Sequence, residues 1–314
     1  MTEARLGTAD GLLGSAGMEP SGTEPGGVRL ASAEGFARQV ARRFARHRLA
    51  LAGAVVIVAL FLSAVLAPLL APADPEAVDP RARYQAPLSA GHPLGTDEIG
   101  RDVLSRLLYA GRISLTVGFA AMVVTIVVGS VVGVVSAYYG GLVDTLLMRL
   151  TDVFLSFPTI YLLLVLAAFV RPSALSITLI VGATAWMEVA RIVRAQFLSL
   201  KTQDFVTAAR AMGASGPRIM ARELLPNGVA PIIVAATLNV ANAILAESYI
   251  SFLGFGIQPP QASWGIMLNN AQDSFTRAPW LGILPGVAIS LAVLAFNFVG
   301  DGLRDALDPH QRRR

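Results

Sequence analysis

Six stretches of this chain are predominantly apolar over roughly the twenty residues that a helix needs to cross a bilayer core of about 30 Å. They run from Leu49 to Leu70, Ile113 to Val135, Val153 to Val170, Ala174 to Ala190, Val229 to Leu253 and Leu281 to Val299. A backbone in lipid must satisfy its own hydrogen bonds, so such runs fold either as helices or as closed barrels. The runs are continuous and lack the alternation of a membrane strand, which predicts helices. Only Arg171-Pro172-Ser173 separates the third run from the fourth, and this spacing predicts a tight hairpin. The expected fold class is therefore all-α, a polytopic integral membrane protein of about six spans.

Composition agrees. Hydrophobic residues make up 54% of the chain and charged residues 15%, with mean hydropathy +0.60, more apolar surface than a soluble protein of this length can bury. Basic charge is nearly all Arg, but it lies beside apolar spans and the net charge is only +4, so nucleic acid is not expected as a partner. There is no Cys, which excludes disulfides and thiolate metal sites.

Arginine placement orients the spans. Arg38, Arg42, Arg43, Arg46 and Arg48 precede the first run; Arg191, Arg194, Lys201, Arg210, Arg218 and Arg222 follow the fourth; Arg312, Arg313 and Arg314 close the chain. With six spans these segments share one side, which the positive-inside rule makes cytoplasmic, so both termini are expected there. Residues 1–35, rich in Gly with scattered Glu, Ser and Pro, read as a disordered cytoplasmic tail. In the segment 36–48, Phe36, Val40 and Phe44 recur every fourth residue among arginines. Two readings stand: a basic amphipathic helix on the inner membrane face, or an ordinary charged flank. Ala71-Pro72-Ala73 superficially resembles a leader-cleavage site, but the apolar run before it is too long and begins too late. The membrane-spanning body is thus assigned to 49–314.

Within the arginine-rich segment 191–227 lies Asp204-Phe205-Val206-Thr207-Ala208-Ala209-Arg210-Ala211-Met212-Gly213, followed by Leu225-Pro226. It is polar and Ala-rich where most of the chain is apolar. Asp204 is expected to cap a helix, Ala208 and Ala209 to let another surface approach, and Gly213 to break the helix. The stretch resembles the "EAA" coupling loop of binding-protein-dependent ABC importer permeases, with Thr207 at the place of the usual Glu. Asp204 as cap makes Thr207 the third helical residue, where Glu would complete a capping box.

Three further motifs extend the resemblance. Arg42 to Leu51 leading into Leu66-Ala67-Pro68-Leu69-Leu70-Ala71-Pro72-Ala73-Asp74-Pro75, His92 to Arg106, and Ser251 to Pro260 with Ser263-Trp264-Gly265-Ile266-Met267 are similar to the C-type subunit of the dipeptide, oligopeptide and nickel permease family. Together with the loop they cover the chain from about residue 36 onward. In the second motif His92, Asp97, Glu98 and Asp102 lack any distinctive metal-ligand spacing. The expected chemistry is structural: Thr96 or Asp97 caps a helix, and Arg101 and Arg106 pair with Asp97 and Asp102. Gln258, Pro259 and Pro260 are expected to form a rigid outer turn, with Trp264 as an interfacial aromatic anchor. The resemblance implies that this surface meets the solute-delivering protein or roofs the pore; a plain structural loop is the other reading.

Inside the membrane, Gly129-x-x-x-Gly133 predicts close helix packing. Asn239, Asn242 and Glu247 fall within an arc of about 140° at 100° per residue, so this face is expected to line a polar cavity, with Asn297 from the last span as a further candidate. Glu247 is singled out because a charge at that depth is costly unless paired or wetted. The alternatives are a structural pairing, or a proton carrier in a secondary transporter. No catalytic constellation is present, and a phosphate-cradling Gly-Lys-Ser/Thr is ruled out because the only lysine, Lys201, follows Leu200. No cofactor is expected on this chain. The resemblance implies a permease that is no enzyme itself, partnered by a B-type permease, two ATPase subunits carrying ATP and Mg, and an extracytoplasmic solute-binding protein, in a bacterial or archaeal inner membrane.

Overall fold

The computed structural model describes residues 33–307. Residues 1–32 of the tail expected at 1–35, the closing arginines and the side chain of Phe36 lie outside the described residues. The described residues are helical with irregular connections: α1 (Ala33–Phe44), α2 (Arg48–Val65), α3 (Ala67–Leu70), α4 (Val103–Tyr139), α5 (Gly141–Leu155), α6 (Thr159–Phe169), α7 (Ala174–Leu200), α8 (Asp204–Ala211), α9 (Gly216–Ile219), α10 (Leu225–Asn227), α11 (Val229–Phe252), α12 (Trp264–Ala271) and α13 (Trp280–Leu307). Five of these, α2, α4, α7, α11 and α13, are long and apolar enough to cross a bilayer.

The third apolar run departs from expectation. It is no single span: α5 and α6 meet at an angle of 86° across residues 156–158. Pro158 supplies the reason, since it has no N–H to continue the ladder and disfavours helix at the residue before it. Val153 belongs to the last turns of α5, and α6 contributes only 11 residues. The pair makes a sixth crossing only if counted together. The first run also ends early, at Val65, where Pro68 opens a separate turn. Helix α1 starts before the expected boundary at 36, and Phe44 from its last turn packs beside Gly302 of α13.

Packing centres on α4 and α7. An α4 of 37 residues is about 55 Å long at 1.5 Å per residue, more than the membrane requires, and it overlies α7 along much of its length. Glycines set the separation. A Cβ on Gly129 would fall 2.7 Å from the Cβ of Val189, and one on Gly133 would fall 2.6 Å from the carbonyl oxygen of Ala190. From the other side, a Cβ on Gly182 would fall 2.6 Å from the Val124 side chain. Without a hydrophobic drive between helices in lipid, such backbone approach is what holds them. Helix α11 joins through Ile244, whose side chain lies 2.6 Å from the Cβ position of Gly118. The outward faces of the bundle stay apolar and exposed, as at Val55, Val58, Val127, Val131 and Leu294.

The close contact predicts a contrast between two glycine substitutions. Gly133→Val forces α4 from α7 and should lower the thermal midpoint of the detergent-solubilised protein, by an overpacking penalty of about 1–3 kcal/mol. Gly286→Ala, where the nearest heavy atom is 3.9 Å away, should leave the midpoint unchanged or raise it slightly.

Candidate functional site

The polar loop after α7 is built on the ends of the long helices. Phe197, Val206, Ala209, Ile219 and Leu224 are buried together with Val134 and Ala137 of α4. Tyr138 lies under Gly216, with the Arg210 guanidinium 5.7 Å from its ring centre. Lys201 donates to the carbonyl of Ala137 at 3.0 Å. The loop is therefore a braced ledge with a sorted surface: Asp204, Thr207, Ala208, Met212 and Gly213 face outward, Phe205 is half-buried, and Ala209 faces in. Ala209 thus offers no outer surface, contrary to expectation, whereas Met212 is 82% exposed.

Two expectations about the loop helix change. Gln203 occupies the cap, without a side-chain bond, and Asp204 is the first helical residue. Thr207 is then the fourth, so no capping box forms at this register. The exit matches its sequence: Gly213 has φ +80 and Gly213 and Ala214 donate back to Arg210 and Ala209, the paired bonds of a left-handed helix stop. Beyond it, 216–227 form one short helical passage with a wide turn, in which Leu225 donates to Met220 five residues back. Pro226, lacking an N–H, sits just past that widening. Leu225 and Pro226 are exposed.

Ion pairs tie α5 to the same helix. Arg194 grips Asp144 with two bonds of 2.5 and 2.6 Å, Asp144 is also bonded by Ser136 of α4, and Arg191 reaches Asp152 at 2.5 Å. Neither pairing was singled out in the sequence, since the acids stand 50 and 39 residues away from their arginines.

A cavity of about 200 Å³ lies between α5–α6, α7 and α11. Asn239 and Asn242 line it, together with Thr184 and Glu188 of α7. Glu188 is the residue that the sequence reading missed. The signal was there: Thr184, Glu188 and Arg191 follow i, i+4, i+7 spacing on one face. Asn297, half-buried on α13, is not among the lining residues.

Glu247 is elsewhere. It is fully buried, accepting from Ser114 of α4 at 3.0 Å and Ser251 of α11 at 2.7 Å. Ser114 in turn accepts the backbone N–H of Trp264 at 3.1 Å. The expected cavity face is thus divided, because α11 turns its asparagines to the cavity and its glutamate to the seam with α4 and α12. Trp264, expected at the membrane interface, is 2% exposed. Its ring lies over Gly111 and its indole N–H donates to Leu107 at 3.2 Å. It opens α12, capped by Ser263, a helix within what reads as a loop. Before it, Gln258 closes the turn by donating to Gly254 and Gly256 at 3.0 Å, and Pro259 and Pro260 follow.

The 92–106 segment is an ionic knot. Both arginines converge on Asp97, Arg101 at 2.6 Å and Arg106 at 3.7 Å, while Arg101 also holds Glu98. Asp102, expected to pair with arginine, instead bonds His92 at 2.9 Å and caps α4 by accepting from Ser105 at 2.7 Å. Thr96 and Asp97 cap no long helix; Thr96 bonds Ala82 and Gln85 in the preceding loop. Tyr84 then links the knot to the α12–α13 connection through Ser274 at 3.0 Å, with Arg277 stacked 4.5 Å from its ring centre.

Comparison with known proteins places this arrangement. Residues 103–313 match the family described as binding-protein-dependent transport system inner membrane component, and residues 35–87 match the N-terminal TM domain of oligopeptide transport permease C. The chain is 39% identical over 275 residues to the dipeptide transport system permease protein DppC of Alkalihalophilus pseudofirmus, covering 88% of this chain and 90% of that protein. Two solved structures of inward facing conformations of the MetNI methionine ABC transporter share its fold. The native crystal form does so at TM-score 0.51 and 22% identity over 65% of this chain and 97% of that one. The selenomethionine-soaked form gives 0.54 and 21% over 64% and 96%. With one family pattern spanning most of its helices and a relative matched over most of both lengths, this chain belongs to the binding-protein-dependent transport system inner membrane components, the membrane-spanning permeases of ABC importers.

Proposed function

We propose that this chain forms half of the translocation pathway of an ATP-driven importer of peptides or similar small solutes, and transmits ATPase movement into the membrane through the ledge at 201–228. The observation that carries the reading is the ledge itself: a polar, two-part helical loop with an exposed face, packed rigidly onto the longest helices. Similarity to a dipeptide permease supports the solute class. The ledge and both termini are cytoplasmic on this reading, because the arginine-rich segments fall together. The 72–102 knot and α12 then face outward, toward the solute-binding protein.

The division of labour follows from what the chain lacks. Its single lysine has no phosphate-binding context, so ATP and Mg belong to two ATPase subunits, and a related B-type permease completes the pathway. Closure of the ATPase pair pushes on the exposed row Thr207, Ala208, Met212. The force passes through the buried contacts of Phe197 and Val206 into α7 and α4, and through Arg194 and Arg191 into α5. Alternating access results when these helices tilt together. Proton coupling at Glu247 finds no support, since that side chain is sealed from the cavity.

Two outcomes check this. The purified chain alone should hydrolyse no ATP, while the complex reconstituted with both ATPases, the partner permease and binding protein should accumulate dialanine in vesicles only with ATP; proton-driven uptake by the chain alone would sink the reading. Gly213→Val should retain membrane insertion yet lower substrate-stimulated ATPase and transport together. Its space is open, so the defect comes from a backbone at φ +80 that a branched residue resists; normal coupling would remove the ledge from the mechanism.

A further inference from the structure

Glu188 is a carboxylate on a membrane-crossing helix, and no hydrogen bond or ion pair reaches it among the described residues. The two arginines that follow it on α7 are already engaged, Arg191 with Asp152 and Arg194 with Asp144. Across the cavity, the Asn242 amide is likewise without a partner, while Asn239 donates to the Ala235 carbonyl of its own helix and Thr184 to those of Ile180 and Val181. Asn239 and Asn242 lie ten and thirteen residues past Val229, about 15 and 20 Å along α11. The cavity therefore lies well along the membrane-crossing length of α11 and is open on one side, where Glu188 and Asn242 are exposed; an unpaired charge at that depth is costly and marks a pathway or a missing cation.

We infer that this cavity is a cation-accepting station of the translocation pathway, in which Glu188 takes the protonated amine of a passing solute and the Asn242 and Asn239 carbonyl oxygens accept its remaining hydrogens. The chemistry suits an ammonium group. It brings three donors and one positive charge, and the cavity offers one carboxylate and amide oxygens with no fixed cation competing. The apolar part of the wall, Leu163 and Met187 among it, leaves no second charge to hold the rest of the solute, so it is released on tilting of α7. The inference rests on the importer reading for the identity of the solute, and on the cavity alone for its charge preference.

The chain contains no cysteine, so Asn242→Cys places a single reporter thiol in the cavity; Asn239→Cys serves if the first variant fails to assemble. In the full complex, with other subunits made cysteine-free, the rates of modification by trimethylammonium-ethyl and by sulfonatoethyl methanethiosulfonate are compared. The cationic-to-anionic rate ratio should fall about tenfold when Glu188→Gln is added, the size of focusing expected from a charged cleft. Dialanine should protect the thiol and N-acetyl-dialanine should not. An unchanged ratio, equal protection by both peptides, or a thiol reached in the isolated chain but closed in the complex would each overturn the proposal, the last by assigning Glu188 to the partner permease. ATP-driven dialanine uptake is measured in parallel on the complex without substitutions. Its absence with the ratio shift retained rejects the peptide reading and leaves the cation station standing.

Discussion

The ledge and the cavity both depend on one contact, the close approach of α4 and α7 at Gly129, Gly133 and Gly182. In lipid, helices gain little from hiding apolar side chains, so their association rests on close packing of this kind. The ledge is seated on one end of that pair and the cavity opens beside it. Side chains of any size at these glycines would separate the two helices and loosen both features at once.

How much of this was legible in the chain depends on how local the cause is. The second, fourth, fifth and sixth apolar runs, the small-residue spacing on α4 and the stop at Gly213 are written in neighbouring residues and match the helices that form. The helix start at 102 was misplaced because Thr96, Asp97 and Asp102 are all competent caps, and only the folded knot decides that the first two are held by Ala82 and the two arginines. Pro158 was visible, yet hydropathy alone cannot distinguish a straight span from one folded by 86°. Trp264 was assigned to the interface on its amphipathic character; its burial depends on Gly111, far away in sequence. Glu188 was hidden by a different effect. It lies within a run whose average is apolar, and Glu247, deeper and more conspicuous, drew the argument for polar lining.

The apolar outer faces carry a plain implication about state. Val55, Val58, Val127, Val131 and Leu294 are exposed around the bundle, too continuous a band for water. Lipid covers such residues, and the cavity opens on a face where Glu188 and Asn242 are exposed as well. The exposed ledge residues differ in being mostly polar or small, apart from Leu225, Pro226 and Met212, the last a flexible side chain well suited to an irregular groove.

The seam at Glu247 constrains which surfaces can part. Ser114, Ser251, Glu247 and the Trp264 N–H form a chain of bonds in which each group is buried and each depends on the next. Drawing α12 away from α4 would break the Trp264 N–H bond to Ser114 and leave a buried backbone donor unpaired, at a cost of about 1–3 kcal/mol. Helix α12 is consequently no hinged lid. It is a fixed tooth on the α4–α11 body, held at its first residue by Ser114 and over Gly111 by the Trp264 ring, so the three helices present one rigid surface at that end of the molecule.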